Sequence, residues 1–130
     1  MVWSYLAVMA GGALGVGARM FMTNWLTEYS GESFPWGTFA VNVIGCFIIG
    51  VFAGLTGPEG LLVTSPLVRQ VVMVGVLGGF TTFSSFSLQT LSLISNGQWL
   101  YASGNIALTV FSCLIATTVG LMLASLLQPR

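Results

Sequence analysis

Hydroxyl groups and phenyl rings alternate in one short stretch of this chain, residues 75–89, which read GVLGGFTTFSSFSLQ. Hydroxyls can replace water around a small ion, and the positive edges of phenyl rings can face an anion. The stretch lies inside a long apolar segment, where non-helical backbone is tolerated only if it is buried in protein or lines a watery cavity. It therefore predicts a membrane helix broken near residues 78–83, at the core of a polar path.

Several readings of this stretch remain open from the residues alone. Five hydroxyls in seven positions are hard to explain by packing, and they are Thr81, Thr82, Ser84, Ser85 and Ser87. Phe83 and Phe86 could face an anion edge-on, or they could simply pack. Backbone N–H groups freed by the break suit an anion, whereas freed carbonyls could coordinate a cation such as Na⁺. The residues favour an anionic path but leave the ion unnamed.

The composition predicts an all-α integral membrane protein. Of its 130 residues, 55% are hydrophobic and only 5% are charged, whereas soluble domains carry about 25% charged residues. At about 20 residues per span, four helices nearly use up the chain, so residues 1–130 form one transmembrane domain. The chain has three Arg and Lys residues in total and no His. It lacks the basic patch that nucleic-acid binding needs.

Four apolar segments, residues 3–26, 36–55, 67–95 and 99–127, predict four membrane helices. The third is longer than one straight span requires, which leaves room for two half-helices. Residues 27–35 predict a solvated loop, and residues 128–130 a short tail. Four spans place both termini on one side of the membrane. Two of the three arginines then lie on that side, and one lies towards the other side. Because this positive-inside bias is weak, two copies could insert in opposite orientations and pair.

Single polar residues in the other segments each allow two interpretations. Arg19 could snorkel or hold carbonyls at a helix end, or it could attract anions at a pore mouth. Asn42 could bond a neighbouring helix, or offer its N–H donors to an anion. Asn105 and Thr109 follow helical spacing and could share one face of the last helix. Cys46 and Cys113 are predicted to be buried thiols without a partner, because a metal site such as zinc would need further ligands.

Some chemistries are disfavoured by what the sequence lacks. No carboxylate lies in an apolar segment, which argues against proton-coupled export of organic cations by a small four-helix exporter. Without His or Asp a Ser-His-Asp triad is impossible, and an enzyme is not expected. The organic-cation exporter stays as one alternative. A non-transporting membrane subunit, whose polar residues only join helices, stays as the other.

The sequence resembles the Fluc/CrcB family of fluoride channels. Its most specific segment is GGFTTFSSFS, residues 78–87, and GGALGVGAR at 11–19 and WGTFAVNVIG at 36–45 support it. The resemblance implies a passive, selective fluoride channel in the bacterial inner membrane. It also implies a dual-topology homodimer of two antiparallel copies, with fluoride as the permeant ion and a structural Na⁺ at the dimer interface.

The resemblance also implies roles for individual residues. Arg19 would lie at the vestibule, and the carbonyls of Gly78 and Thr81 would bind Na⁺. The residues expected to line the fluoride pores are Asn42, Thr82, Phe83, Ser84, Ser85, Phe86, Asn105 and Thr109. The family usually has Glu where this chain has Gln89, and a Gly-Ser pair where it has Ser112-Cys113. These two departures bear on conduction and on the serine site of the last helix.

Overall fold

The structure, a computed structural model, describes residues 1–128 as helices joined by short loops. Residues 129 and 130 of the predicted tail lie outside the described residues. The elements are α1 (Val2–Ser30), α2 (Trp36–Leu55), α3 (Pro66–Gln70), a π-helical stretch (Val71–Val76), α4 (Leu77–Phe80), α5 (Phe83–Ser95) and α6 (Trp99–Leu126). From α3 to α5 they make up one span, Pro66–Ser95, called the third span below.

Within residues 1–128, four helices are long and apolar enough to cross a membrane, which confirms the prediction of four spans. Their mean hydropathies range from 1.4 to 2.2, and between 11% and 28% of each apolar window is buried within the chain. Most apolar side chains of the spans therefore face lipid or another protein. The chain is a multi-pass helical membrane protein.

The first helix is longer than the sequence predicts. It continues to Ser30, because backbone hydrogen bonds persist beyond the apolar residues as far as Gly31, whose N–H donates to the Thr27 carbonyl (2.9 Å). It ends at Gly31, whose φ of 75° favours glycine. The prediction that the loop begins at residue 27 is therefore wrong, and Glu28 lies on the helix. Glu28 and Glu32 are both exposed, in agreement with their predicted solvation.

Helical geometry stops and starts again within the third span. The Ser65 side chain caps α3 by accepting the Val68 N–H (3.3 Å), and Pro66 occupies the first turn, where its missing N–H costs nothing. After α4 the backbone becomes extended at Thr81 (φ −86°, ψ 158°) and Thr82 (φ −154°, ψ 115°). The chain thus contains two non-helical residues inside its most polar stretch.

Glycines allow the spans to approach closely at two interfaces. A Cβ on Gly15 of α1 would meet the Val76 carbonyl and lie 2.9 Å from the Phe80 nitrogen. A Cβ on Gly50 of α2 would meet the Thr117 carbonyl of α6. Helix α1 therefore packs on the first half of the third span, whereas α2 and α6 form the most extensive helix pair. Small residues are the usual means of close helix packing in lipid.

Substituting Gly15 tests the first of these interfaces. We expect Gly15→Ala to lower the free energy of unfolding by about 1–3 kcal/mol, because the methyl group overpacks α1 against backbone atoms that cannot rotate away. Gly17→Ala is the matched control, since a Cβ there has no atom of the chain within 4 Å. Thermal unfolding in detergent measures both. Equal melting temperatures for the two variants would contradict the packing described here.

Arg69 ties the start of the third span to the end of α2. Its Nη1 donates to the Thr56 carbonyl and to the Thr56 hydroxyl (2.7 Å). Thr56 is the C-cap of α2, where carbonyls lack intrahelical partners and a positive charge is favourable. The arginine that marks the start of the third span in the sequence thus serves as a cap for another helix.

Candidate functional site

Asn42 pairs with the extended backbone of Thr82. Its Nδ2 donates to the Thr82 carbonyl (3.0 Å), and its Oδ1 accepts the Thr82 N–H (2.7 Å). Both residues are buried, with 7% of each exposed. One side chain thus satisfies both backbone groups that would otherwise be orphaned inside the protein. Asn42 bonds a neighbouring span, as one of its two interpretations predicts, and keeps one Nδ2 hydrogen for another acceptor.

The non-helical residues Thr81 and Thr82, called the interruption below, deprive several backbone carbonyls of their helical partners. In a continuous helix, the carbonyl of Gly78 would accept the Thr82 N–H, and that of Thr81 would accept the Ser85 N–H. Here the Thr82 N–H donates to Asn42, and the Ser85 N–H donates to the Thr82 hydroxyl (3.2 Å). Gly78 is exposed on the surface of the chain. The two carbonyls predicted to bind Na⁺ are therefore among those without a helical partner, and the Thr81 carbonyl accepts an Arg19 N–H instead.

Arg19 reaches across from α1 to the interruption. Its Nη1 donates to the Thr81 carbonyl (3.2 Å) at the end of α4. Within residues 1–128 its hydrogen-bond partner is this carbonyl rather than a carboxylate, so its positive charge remains available to an anion nearby. Arg19 thus holds a carbonyl at a helix end, as one of its interpretations predicts, and it also lines a cavity.

Three predicted hydroxyls form one cluster at the start of α5. The Thr82 hydroxyl caps α5 and lies 3.2 Å from the Ser84 hydroxyl and 3.1 Å from the Ser85 hydroxyl. Each hydroxyl can rotate to donate or accept, so the cluster can reorient towards a passing ion. The cap itself fixes where α5 begins.

The two predicted phenylalanines form a pair on α5. Their ring centroids are 5.2 Å apart with planes tilted by 50°. Phe86 is buried at 6% exposure, whereas Phe83 is 74% exposed at the surface of the chain. The rings therefore extend from the core to a face that a second protein or lipid must cover.

Asn105 and Thr109 belong to a buried network that joins α6 to α5. Asn105 Nδ2 donates to the Thr90 hydroxyl (2.9 Å), which donates to the Phe86 carbonyl (2.7 Å). Thr109 donates to Asn105 Oδ1 (3.2 Å). Asn105 is only 1% exposed. Its amide thus supports the segment that carries Phe86, and Thr90 is a member of the site that the sequence analysis missed.

Thr90→Val tests this network. Valine keeps the shape but leaves the buried Asn105 donor unpaired, so we expect the free energy of unfolding to fall by about 1–3 kcal/mol. Thr118→Val is the matched control, because the Thr118 hydroxyl is exposed and bonds only its own helix at Leu114. Denaturation followed by tryptophan fluorescence compares the two. A Thr118 variant as unstable as the Thr90 variant would contradict the network's role.

Three cavities follow one another through the site. The aromatic cavity, about 320 Å³, contains Phe83 and Phe86 in its wall, and the arginine cavity, about 290 Å³, contains Arg19. Thr82 lines both of them. Gln89 lines the arginine cavity and a third, the loop cavity of about 260 Å³, which opens beside Glu32. Shared lining residues thus place the three cavities next to one another, from the aromatic pair to the loop after α1, and this row of cavities is called the track below.

The predicted pore residues divide between these cavities. Asn42 and Thr109 line the aromatic cavity with the phenylalanines, and Ser85 lines the arginine cavity. Ser84 and Asn105 line none of the three and contact the track through their hydrogen bonds. Gln89 is notable because its Oε1 is buried without a hydrogen-bond partner. Within residues 1–128, Gln89 thus combines a buried, unpaired Oε1 with a side chain that lines two cavities.

These features define a class, namely small helical membrane proteins that carry a polar track beside an interrupted span. The family described as CrcB-like protein, Camphor Resistance (CrcB), matches residues 6–121. The chain belongs to this family. Similar proteins include one from Opitutus terrae, 52% identical over 116 residues that cover 89% of this chain and 88% of the relative. Another, from Methylocella silvestris, is 52% identical over 120 residues, which cover 92% of this chain and 92% of the relative.

A third relative, from Rhodospirillum rubrum, is 50% identical over 117 residues, which cover 90% of this chain and 91% of its own. Each of the three relatives is named fluoride-specific ion channel FluC. The similarity extends over nearly the whole of both chains, so it includes all four spans and the interruption.

Proposed function

We propose that this chain is a passive, fluoride-specific ion channel. The observation that carries the proposal is the name shared by relatives about half identical over almost their full length. The site supports it, because hydroxyls, an amide hydrogen and ring edges are neutral donors that can replace the hydration shell of a small anion. The chain is a channel rather than an enzyme, and the relatives support neither an organic-cation exporter nor a non-transporting subunit.

The direction of flow follows from the membrane potential. An anion leaving a cell that is negative inside gains about 2.3 kcal/mol per 100 mV. A passive fluoride path in the bacterial inner membrane therefore exports fluoride and lowers its concentration in the cytoplasm. The Arg19 guanidinium would attract the anion to the arginine cavity, and the hydroxyls of Thr82 and Ser85 would pass it towards the phenylalanines.

Growth in fluoride tests this role in the cell. A bacterial strain without its own fluoride channel should grow in fluoride medium when it expresses this chain. It should fail to grow when it expresses an equal amount of the double variant Phe83→Ile with Phe86→Ile. Sensitivity to organic cations should be unchanged in both strains. Resistance to organic cations without resistance to fluoride would overturn the proposal in favour of the exporter.

The assembly we propose is an antiparallel homodimer with dual topology. Phe83 lies 74% exposed beside the track, so a second copy would complete the wall of the aromatic cavity. Ser33→Cys in a chain without native cysteines tests the topology, since Ser33 is exposed in the loop after α1. Equal labelling from the two sides of the membrane is expected. Labelling from one side alone would contradict dual topology.

The freed carbonyls of Gly78 and Thr81 fit a Na⁺ site in their donor type, because hard cations prefer oxygen ligands. One chain offers two such oxygens, and a second copy would double them. The interruption would then lie at mid-membrane depth, on the axis between the copies. Na⁺ should raise the melting temperature of the dimer relative to N-methyl-D-glucamine, as any ligand of the folded state does. Identical melting temperatures in the two cations would contradict the site.

A further inference from the structure

The two cysteines of the chain meet at the wall of the aromatic cavity. Cys46 lies on α2 and Cys113 on α6, both are half-buried free thiols, and both line this cavity. The two side chains line the same cavity from two helices that pack on each other. The prediction that both thiols are free is confirmed, although they are half-buried rather than buried.

The packing of α2 on α6 explains why the thiols meet. Gly50 follows Cys46 by one turn, Thr117 follows Cys113 by one turn, and a Cβ on Gly50 would strike the Thr117 carbonyl. The two backbones are thus closest one turn beyond the cysteines, and the helices advance together in the same direction. This register places one thiol opposite the other.

The chemistry of two facing thiols limits what they can bind. A structural zinc site needs four ligands, and no group of three or more His, Cys, Asp or Glu residues that could hold a metal occurs in residues 1–128. Two sulfurs suffice for a monovalent coinage-metal ion, which accepts linear coordination, and thiolates select soft ions such as Cu(I). Two-coordinate soft cations are the ligand class that matches this pair.

We propose that Cys46 and Cys113 together bind one soft monovalent cation of the Cu(I) and Ag(I) class. Each thiol releases its proton to water, and two sulfur–metal bonds form. Two thiolates and one monovalent cation leave a net charge of −1 beside Phe83 and Phe86. This charge repels an anion in the aromatic cavity, so the bound metal blocks permeation. The block rests on the proposed channel function, whereas the binding does not.

Silver binding tests the site independently of transport. The purified chain is titrated with Ag⁺ in detergent without chloride or added thiols, and bound silver is measured by mass spectrometry after gel filtration. We expect one silver ion per chain, and loss of tight binding in both Cys46→Ser and Cys113→Ser. No bound silver in the unchanged chain would overturn the proposal. So would two ions per chain with one retained in each variant, because the thiols would then act separately.

Fluoride efflux from liposomes tests the block, with each variant compared with its own efflux in the absence of silver. Silver should abolish most of the efflux through the unchanged chain and leave the efflux of each serine variant unaltered. If the chain binds silver but never passes fluoride, the proposed channel function is contradicted and the proposed metal site is supported. Efflux that persists at full rate with one silver bound would overturn the block.

Discussion

Asn42→Ala is expected to reduce fluoride efflux by about a hundredfold, which corresponds to about 2.7 kcal/mol of barrier. Alanine removes both hydrogen bonds to Thr82 and leaves a buried N–H and a buried carbonyl unpaired. Each unpaired group costs about 1–3 kcal/mol. The extended conformation of Thr82 then loses its main support, and the hydroxyl that lines two cavities is no longer fixed. Fluoride efflux from liposomes should show the lower rate, and thermal unfolding should show the lower stability.

Two further variants separate this role from a general effect of substitution. Asn24→Ala is the matched control, because Asn24 lies exposed on α1, and we expect near-normal efflux and stability. Asn42→Asp keeps the acceptor for the Thr82 N–H but loses the donor to its carbonyl, so its stability should be intermediate. An Asn42→Ala variant with the stability and efflux of the control would show that the amide does not hold the interruption.

The phenylalanine pair gives the second large effect. We expect Phe83→Ile and Phe86→Ile each to cut fluoride efflux by about tenfold or more, equal to about 1.4 kcal/mol. Isoleucine keeps an apolar side chain but removes the positive ring edge that would face the anion. Electrode recordings of efflux, with gel filtration of the same samples, measure flux and assembly together. Both variants should keep the oligomeric state of the unchanged chain.

Phe111→Ile is the control for this pair, since Phe111 is a phenylalanine of α6 with 66% of its surface exposed. It lines neither the aromatic nor the arginine cavity. Its efflux should match that of the unchanged chain. Undiminished efflux in both the Phe83 and Phe86 variants would remove the rings from the path.

The spans could be predicted from the sequence because hydropathy and length decide which helices cross a bilayer. Residues 36–55 were predicted with the bounds that the structure gives to α2. The end of α1 was not predicted correctly. Its helical hydrogen bonds continue beyond Leu26 into a polar stretch, where hydropathy gives no signal. The π-helical stretch Val71–Val76 has no periodicity of its own and carried no sequence signal.

The members of the site were easier to predict than their partners. Polarity within an apolar segment singled out Asn42 and Asn105. Their hydrogen bonds, to Thr82 and Thr90, depend on helix register that one sequence does not contain. The cavity that Cys46 and Cys113 share was missed for the same reason. Thr90 could have been noticed as the hydroxyl that continues the polar stretch beyond Gln89.

The measurement that tests the account most directly is ion efflux from liposomes that contain only this purified chain. Fluoride and chloride are compared under the same K⁺ and valinomycin conditions. We predict rapid fluoride loss with chloride retained, which would establish a selective channel built from a single polypeptide. Fluoride retained as well as in protein-free liposomes, with the chain shown to be folded and dimeric, would contradict it.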